Sequence, residues 1–252
     1  MSTDYQIPVM IKTMKVIDII SENKDGITFS EILRQLKYPK TTLFRILQTL
    51  ESQNWISKKS DHYTLGYMVI HYGLAGLSGR DIRRISLPYL EELRKVTTET
   101  SHLAVLSGRK SMIIEIIDSH KHIKPSSPMG SLIDLYCSAH GKVFLAYKIK
   151  EDLESFYKNT ELVKRTAHTI TDIPSLMEET RKILKNGYAV DDMEFYDDVR
   201  CLAAPVWGKD NEVVGAVGIT ATTRDFTRDL IPVMAKHVIS ASRNISREMG
   251  SI

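Results

Sequence analysis

Cysteine is nearly missing from this chain of 252 residues: only Cys137 and Cys201 are present. They form no CxxC pair and have no zinc-type spacing, which excludes a disulfide framework and points to a reducing cytosol. No apolar run approaches the ~18 residues that a membrane span requires. The first residues carry no secretory-signal pattern, so a soluble, cytoplasmic protein is expected. An excess of one charge sign is lacking too, since 34 Lys and Arg face 31 Asp and Glu for a net +3. That excludes a histone-like polycation, and any contact with nucleic acid has to come from local clusters. Internal repeats and low-complexity stretches are absent. Gly141-Lys142 has no glycine upstream at the distance a phosphate-binding loop needs.

What is present is most informative between Ile27 and Gly66. Thr28 and Glu31 stand three apart, the spacing of a capping box, and Ile27 with Ile32 can close a hydrophobic staple around it. Ile32, Leu33 and Leu36 continue as an apolar face, and Tyr38-Pro39 predicts the end of this helix. A second helix is expected from Lys40 to Gln53, with Leu43, Ile46, Leu47 and Leu50 on one buried stripe. Its other side carries Lys40, Thr41, Thr42, Arg45, Gln48 and Thr49, with no carboxylate among them. Cations and small donors of this kind suit phosphates, while Arg and Gln can read base edges. A solvated face is the bland alternative. Next comes Ile56–Leu65, two short strands around Ser60-Asp61 with Lys58, Lys59 and His62 near the tip. Helix, turn, helix and basic hairpin describe a winged helix-turn-helix over residues 1–66.

The flanks fill out two domains, which 252 residues are enough to build. Residues 7–22 predict a helix with more apolar surface than one small domain covers, from Val9 and Met10 to Ile20; it serves either as ordinary core or as contact with a second subunit. Residues 67–79 read as a linker helix weakened by Gly73 and Gly76, with flexibility around Gly76 and Gly79. A helix over 81–98 should turn Ile82, Ile85, Leu90, Leu93 and Val96 inward, and Pro88 should bend or divide it. Short β-rich runs, at 102–106, 111–118, 188–190, 201–207 and 213–220, then alternate with helices near 138–147, 151–157, 172–186 and 226–248. Helices on a mainly antiparallel sheet make residues 80–252 an α+β domain.

Two motif blocks carry a resemblance. PKTTLFRILQTLESQNWI…YTLG resembles the DNA-binding domain of the IclR family of bacterial transcriptional regulators. CSAHGKVFLA, NGYAVDDMEF and VRCLAAPVWGKDNEVVGAVGIT are similar, in the same order, to that family's effector-binding domain, whose fold is of the GAF and profilin-like kind. The resemblance implies a ligand-responsive regulator, commonly a repressor, that binds double-stranded DNA at a near-palindromic operator as a homodimer or dimer of dimers. DNA contacts would fall to Lys40, Thr41, Thr42, Arg45, Gln48, Thr49, Lys58, Lys59 and His62. An effector pocket would include Ile133, Ala139, His140, Asp191, Cys201, Gly218 and Thr220. Amides at the start of the CSAHGK helix could hold a carboxylate there. Some family members that sense small acids carry serine where Gly218 stands and a small residue where His140 stands. The imidazole would shrink the cavity or add a pH-sensitive cation.

Other chemistries fit less well. His140, Asp191 and Cys201 could form a nucleophilic set, which would make the chain an enzyme of small-acid metabolism with the winged domain as a dimerisation module. Cys201, however, sits in the apolar run RCLAAPV, where a buried inert thiol is the commoner outcome. His120 and His122 could bind metal, but no further ligands accompany them. No metal or cofactor is expected. A winged helix can also serve as a protein-binding sensor module. The basic outer side of the 40–53 helix, which a mere handle would not need, favours DNA.

Overall fold

The capping box forms as its spacing requires. In a computed structural model describing residues 6–78, 81–125, 127–149, 153–158 and 160–251, the Thr28 hydroxyl accepts from the Glu31 amide and Glu31 accepts from the Thr28 amide at 2.9 Å. Helix α1 spans Pro8–Glu22, α2 Phe29–Leu36 and α3 Lys40–Ser52. Their apolar stripes meet around Val16, Ile20, Ile32, Leu43, Leu47 and Leu50, all buried. The stop signal of α2 lies earlier than Pro39: Lys37 adopts φ 53° and its amide bonds to the Leu33 carbonyl, the left-handed cap that ends many helices.

The hairpin pairs β2 (Ile56–Lys59) with β3 (His62–Leu65), turning at Ser60 with φ 54°. The expected two-stranded wing has a third member, β1 (Ile27–Thr28), paired antiparallel to β3. Two residues are too few to show a period of two, and their role in the capping box masked them. Helix α4 (Tyr67–Ser78) runs through Gly73 and Gly76 without a break, and Gly79 lies outside the described residues.

Contacts divide the chain into two compact units, residues 1–79 and 80–252. The second holds one six-stranded antiparallel sheet in the order β6-β5-β4-β9-β8-β7. Its strands are β4 (Thr100–Ser107), β5 (Lys110–Ile117), β6 (Leu132–Asp134), β7 (Ala189–Asp192), β8 (Val199–Trp207) and β9 (Val213–Thr222). Helices α5 (Asp81–Thr97) and α9 (Ile231–Glu248) pack together. Helix α6 (Ala139–Tyr147) packs with α8 (Ile173–Asn186), and α7 covers Leu153–Lys158.

Neighbouring residues of β4 show that the sheet is covered on both sides. Ser101 donates to the Leu90 carbonyl of α5 at 2.7 Å, while His102 meets His140 of α6. Successive strand residues face opposite ways, so α5 and α6 lie on opposite faces.

Two expectations need correction here, and one is narrowed: of the two outcomes expected at Pro88, division does not occur, since the residue lies inside one helix, α5. Val96 is 46% exposed, and Thr97 turns inward in its place, donating to the Leu93 carbonyl. The last helix begins at Ile231 rather than near Phe226. Phe226 is fully buried, a 3-10 turn covers Arg228–Leu230, and Pro232 sits in the first turn of α9, where a missing amide costs nothing.

Candidate nucleic-acid interface and ligand cavity

Burying one stripe of α3 leaves the opposite side in water. Lys40, Thr41, Arg45, Gln48 and Thr49 are exposed, and Thr42 is half-buried. Thr49 donates to the Arg45 carbonyl at 2.8 Å, which leaves its oxygen facing outward as an acceptor. Pro39 precedes α3 and supplies no side-chain cap, so the positive end of the helix dipole is uncovered. Phe44 is 57% exposed on the same helix. Sequence reading passed over it, because an aromatic beside a core stripe is ordinarily assigned to the core.

On the wing, Lys58, Lys59 and His62 are all exposed. Lys59 stands directly opposite His62 in the ladder, and Lys58 lies opposite Tyr63 with its ammonium 5.3 Å from the ring centroid. Adjacent strand residues point to opposite faces, so the two lysines flank the ribbon. A ribbon entering a groove edge-on would set one against each phosphate wall.

The second unit encloses a cavity of about 50 Å³ between the sheet and the start of α6. Ile133, Ala139, His140, Asp191, Cys201 and Thr220 all line it. These six come together from β6, α6, β7, β8 and β9. Gly218 does not line it. A Cβ there would lie 2.7 Å from His102 Cε1 and overlap the Leu202 carbonyl oxygen, so the glycine makes room for the imidazole above it.

His102 is the residue that sequence reading missed. It is 2% exposed, and the available signal was a lone polar side chain inside the apolar run HLAVL. Its Nδ1 lies 2.6 Å from His140 Nε2, and its Nε2 lies 2.8 Å from the Thr220 hydroxyl. Thr220 Oγ1 donates to Cys201 Sγ at 3.1 Å, and Cys201 stands opposite Asp191, its register partner across β7 and β8. His140 Nδ1 is buried with no hydrogen-bond partner among the described residues.

Burial sets the protonation of this cluster. It lowers the pKa of His102 to about 4, and it lowers His140 as well, with repulsion from His102 adding to the effect. Both imidazoles are therefore neutral at physiological pH. Burial raises Asp191 to about 7, against the pull of Lys142 and the amides of Glu194 and Phe195, which bond to its Oδ1. Burial also raises the Cys201 thiol. A thiol held protonated is a poor nucleophile, and His140 bonds to His102 rather than to Cys201. The nucleophilic set does not assemble.

Two further groups frame the site. Ser138 caps α6 by accepting from the Gly141 amide at 3.2 Å. Lys142, one turn on and fully buried, pairs with Glu194 at 2.5 Å and Glu179 at 3.3 Å. Among the described residues no three His, Cys, Asp or Glu side chains gather as a metal site, so His120 and His122 stand without a third ligand. No helix of the described residues is long and apolar enough to cross a membrane.

Comparison with known proteins agrees with this geometry. The family model for the IclR helix-turn-helix domain matches residues 10–60, and that for the bacterial transcriptional regulator IclR C-terminal domain matches residues 74–247. The HTH-type transcriptional regulator KipR of Bacillus subtilis is 28% identical over 242 residues, covering 96% of each chain. The Thermotoga maritima IclR structure is similar with a TM-score of 0.73 at 29% identity, covering 97% of this chain and 100% of that one. An IclR homologue from Microbacterium hydrocarbonoxydans, solved with 4-hydroxybenzoate, shares the fold at TM-score 0.81 and 18% identity, over 97% of this chain and 100% of its own. These relatives are regulators of transcription and not enzymes. The two family models match in order and together span most of the sequence, and the chain belongs to the IclR family of bacterial transcriptional regulators.

Proposed function

We propose that residues 1–66 grip operator DNA in the cytoplasm, that residues 67–79 link, and that residues 80–252 bind a small carboxylate and join subunits. The observation that carries this reading is the pairing of two features in one chain: a carboxylate-free cationic face on α3, and a cavity in the second unit where His140, Asp191 and Thr220 stand among apolar side chains. In a dimer the two α3 helices would enter successive major grooves about one turn (~34 Å) apart, so the operator is near-palindromic. Exposed Val9, Met10 and Met14 on α1 supply apolar surface for such pairing, in a dimer or a dimer of dimers. Arg45 and Gln48 read base edges, Phe44 meets a thymine methyl, and Lys40, Thr41, Thr42, Thr49, Lys58, Lys59 and His62 fix the register on the backbone.

Occupation of the cavity by a carboxylate changes the affinity for the operator, and by linkage the operator changes affinity for the carboxylate by the same factor. Repression, by occlusion of a promoter, is the simplest outcome of such binding. The 4-hydroxybenzoate held by the Microbacterium relative supports a carboxylate as the class of ligand.

Replacing Arg45 with Ala should weaken operator binding by about 1–3 kcal/mol and relax preference at one base pair. Binding to unrelated duplex should change much less. Replacing Lys58 and Lys59 together should weaken binding to all sequences alike, reducing the salt slope by about two phosphate contacts. Titrations of labelled duplex at several salt concentrations separate the two. An unaltered slope would remove the wing from the interface.

A further inference from the structure

The cavity ends in an orphan. His140 lines the space at the start of α6, and its Nδ1 is buried with no partner among the described residues. Behind it runs a line of groups that both give and take a proton, His102, Thr220 and Cys201, and Asp191 stands directly opposite Cys201 in the β7–β8 ladder. Such a line has two self-consistent arrangements, because donors in the middle are fixed by the group at the end.

With Asp191 ionised, the Cys201 thiol donates to it and Thr220 donates to the sulfur. His102 Nε2–H then donates to Thr220, and His140 Nε2–H donates to His102 Nδ1. His140 Nδ1 is left as a bare lone pair, which repels an anion. With Asp191 protonated, every bond reverses: Asp191 donates to Cys201, Cys201 to Thr220, and Thr220 to His102 Nε2. His102 Nδ1–H then donates to His140 Nε2, and His140, which lines the cavity, carries its proton on Nδ1 as a donor. Each intermediate group passes on one proton and receives one, so the whole reversal consumes a single proton from solvent, held at Asp191. No imidazolium forms at any stage.

We propose that His140 Nδ1 is the atom that reads the ligand's carboxylate, and that the site takes the anion together with one proton, lodged on Asp191 and relayed through Cys201, Thr220 and His102. This rests on the cavity being the effector site. Helix α6, whose Gly141 amide is capped by Ser138, adds the positive end of its dipole near the same point. The charge balance supports the relay: a carboxylate entering a closed cavity beside an ionised Asp191 would bring two anions together, and the added proton removes one of them. Other titratable groups facing Asp191 are Lys142, which favours its ionised form, and Glu194, which opposes it; Glu179 meets Lys142 from α8, and Cys137 precedes α6. Burial raises Asp191 to about 7, so the exchange falls where a cell's pH can move it.

The test uses full-length protein with ¹⁵N-labelled histidine, and acetate, pyruvate and 4-hydroxybenzoate as probes. Imidazole nitrogen shifts should show His140 Nδ1 protonated at about pH 6 and bare at about pH 8, with carboxylate affinity falling about tenfold per pH unit above the midpoint. Asp191→Asn carries a permanent amide donor, so it should lock Nδ1–H and make affinity independent of pH. Thr220→Val cuts the relay without changing side-chain shape, and should fix His140 in one tautomer at every pH; it serves where the Asn variant folds poorly. A probe that shifts His140 equally and binds equally at both pH values would overturn the relay while leaving the effector site standing. A tautomer switch that occurs while all three probes leave His140 unmoved at about pH 6 would instead overturn carboxylate recognition, and the effector reading with it.

Discussion

Replacing Lys142 with Met should cost the second unit about 3–5 kcal/mol of stability, because it strands a buried carboxylate. The ammonium is fully buried, 2.5 Å from Glu194, whose side chain is 7% exposed, and 3.3 Å from Glu179. Burial works against the charged lysine, but the two carboxylates more than offset it and raise its pKa above the usual value. Methionine matches the lysine in length and packs among the same neighbours, so the loss is electrostatic. Adding Glu194→Gln should recover much of it, since a neutral pair leaves no bare charge. The measurement is denaturant unfolding followed at Trp207 in β8, with Trp55, the other tryptophan of the chain, changed to Phe. A cost below about 1 kcal/mol, the ordinary range for exposed pairs, would mean that water reaches this site.

Gly218→Ser should be nearly as damaging, at about 3 kcal/mol, the upper end of overpacking costs. The glycine lies between Ala203 of β8 and His102 of β4 in the sheet. An added Cβ would overlap the Leu202 carbonyl, approach His102 Cε1 to 2.7 Å and come within 3.1 Å of Ala203 Cα. Two of those neighbours are backbone in the middle of the sheet and cannot swing aside. The imidazole can, so the expected response is displacement of His102 and loss of its 2.6 Å bond to His140. Unfolding at Trp207 gives the stability, and the histidine nitrogen shifts report the displacement. A serine variant with full stability and an unmoved His102 would show that β8 and β9 separate more easily than their pairing suggests.

Much of the first unit was legible because short-range rules specify it. Thr28 and Glu31 cap a helix by spacing alone, and Leu43, Ile46, Leu47 and Leu50 bury one stripe of α3 as their period demands. What escaped there were β1, which exists only through its pairing with β3, and Phe44, whose exposure depends on what surrounds it.

The second unit was legible in outline and less so in its site. Six of seven expected cavity residues do line the cavity, but the group that connects them, His102, sits on β4, where Thr100 through Val105 are buried continuously. A strand covered on both faces loses its alternation, so nothing local marks His102 as facing the ligand side. Pro88 misled for a related reason: tertiary packing of α5 against α9 and β4 outweighs one lost amide.

The most direct test follows a labelled duplex, taken from upstream of the gene, as full-length protein is titrated in at low and at moderate salt. The account predicts tight, sequence-selective binding that weakens steeply with salt, relaxes its preference at one base pair in Arg45→Ala, and shifts when a carboxylate occupies the second unit. Protein that leaves the duplex free at low ionic strength, or binds it equally well with Arg45 removed and both wing lysines neutralised, would contradict it.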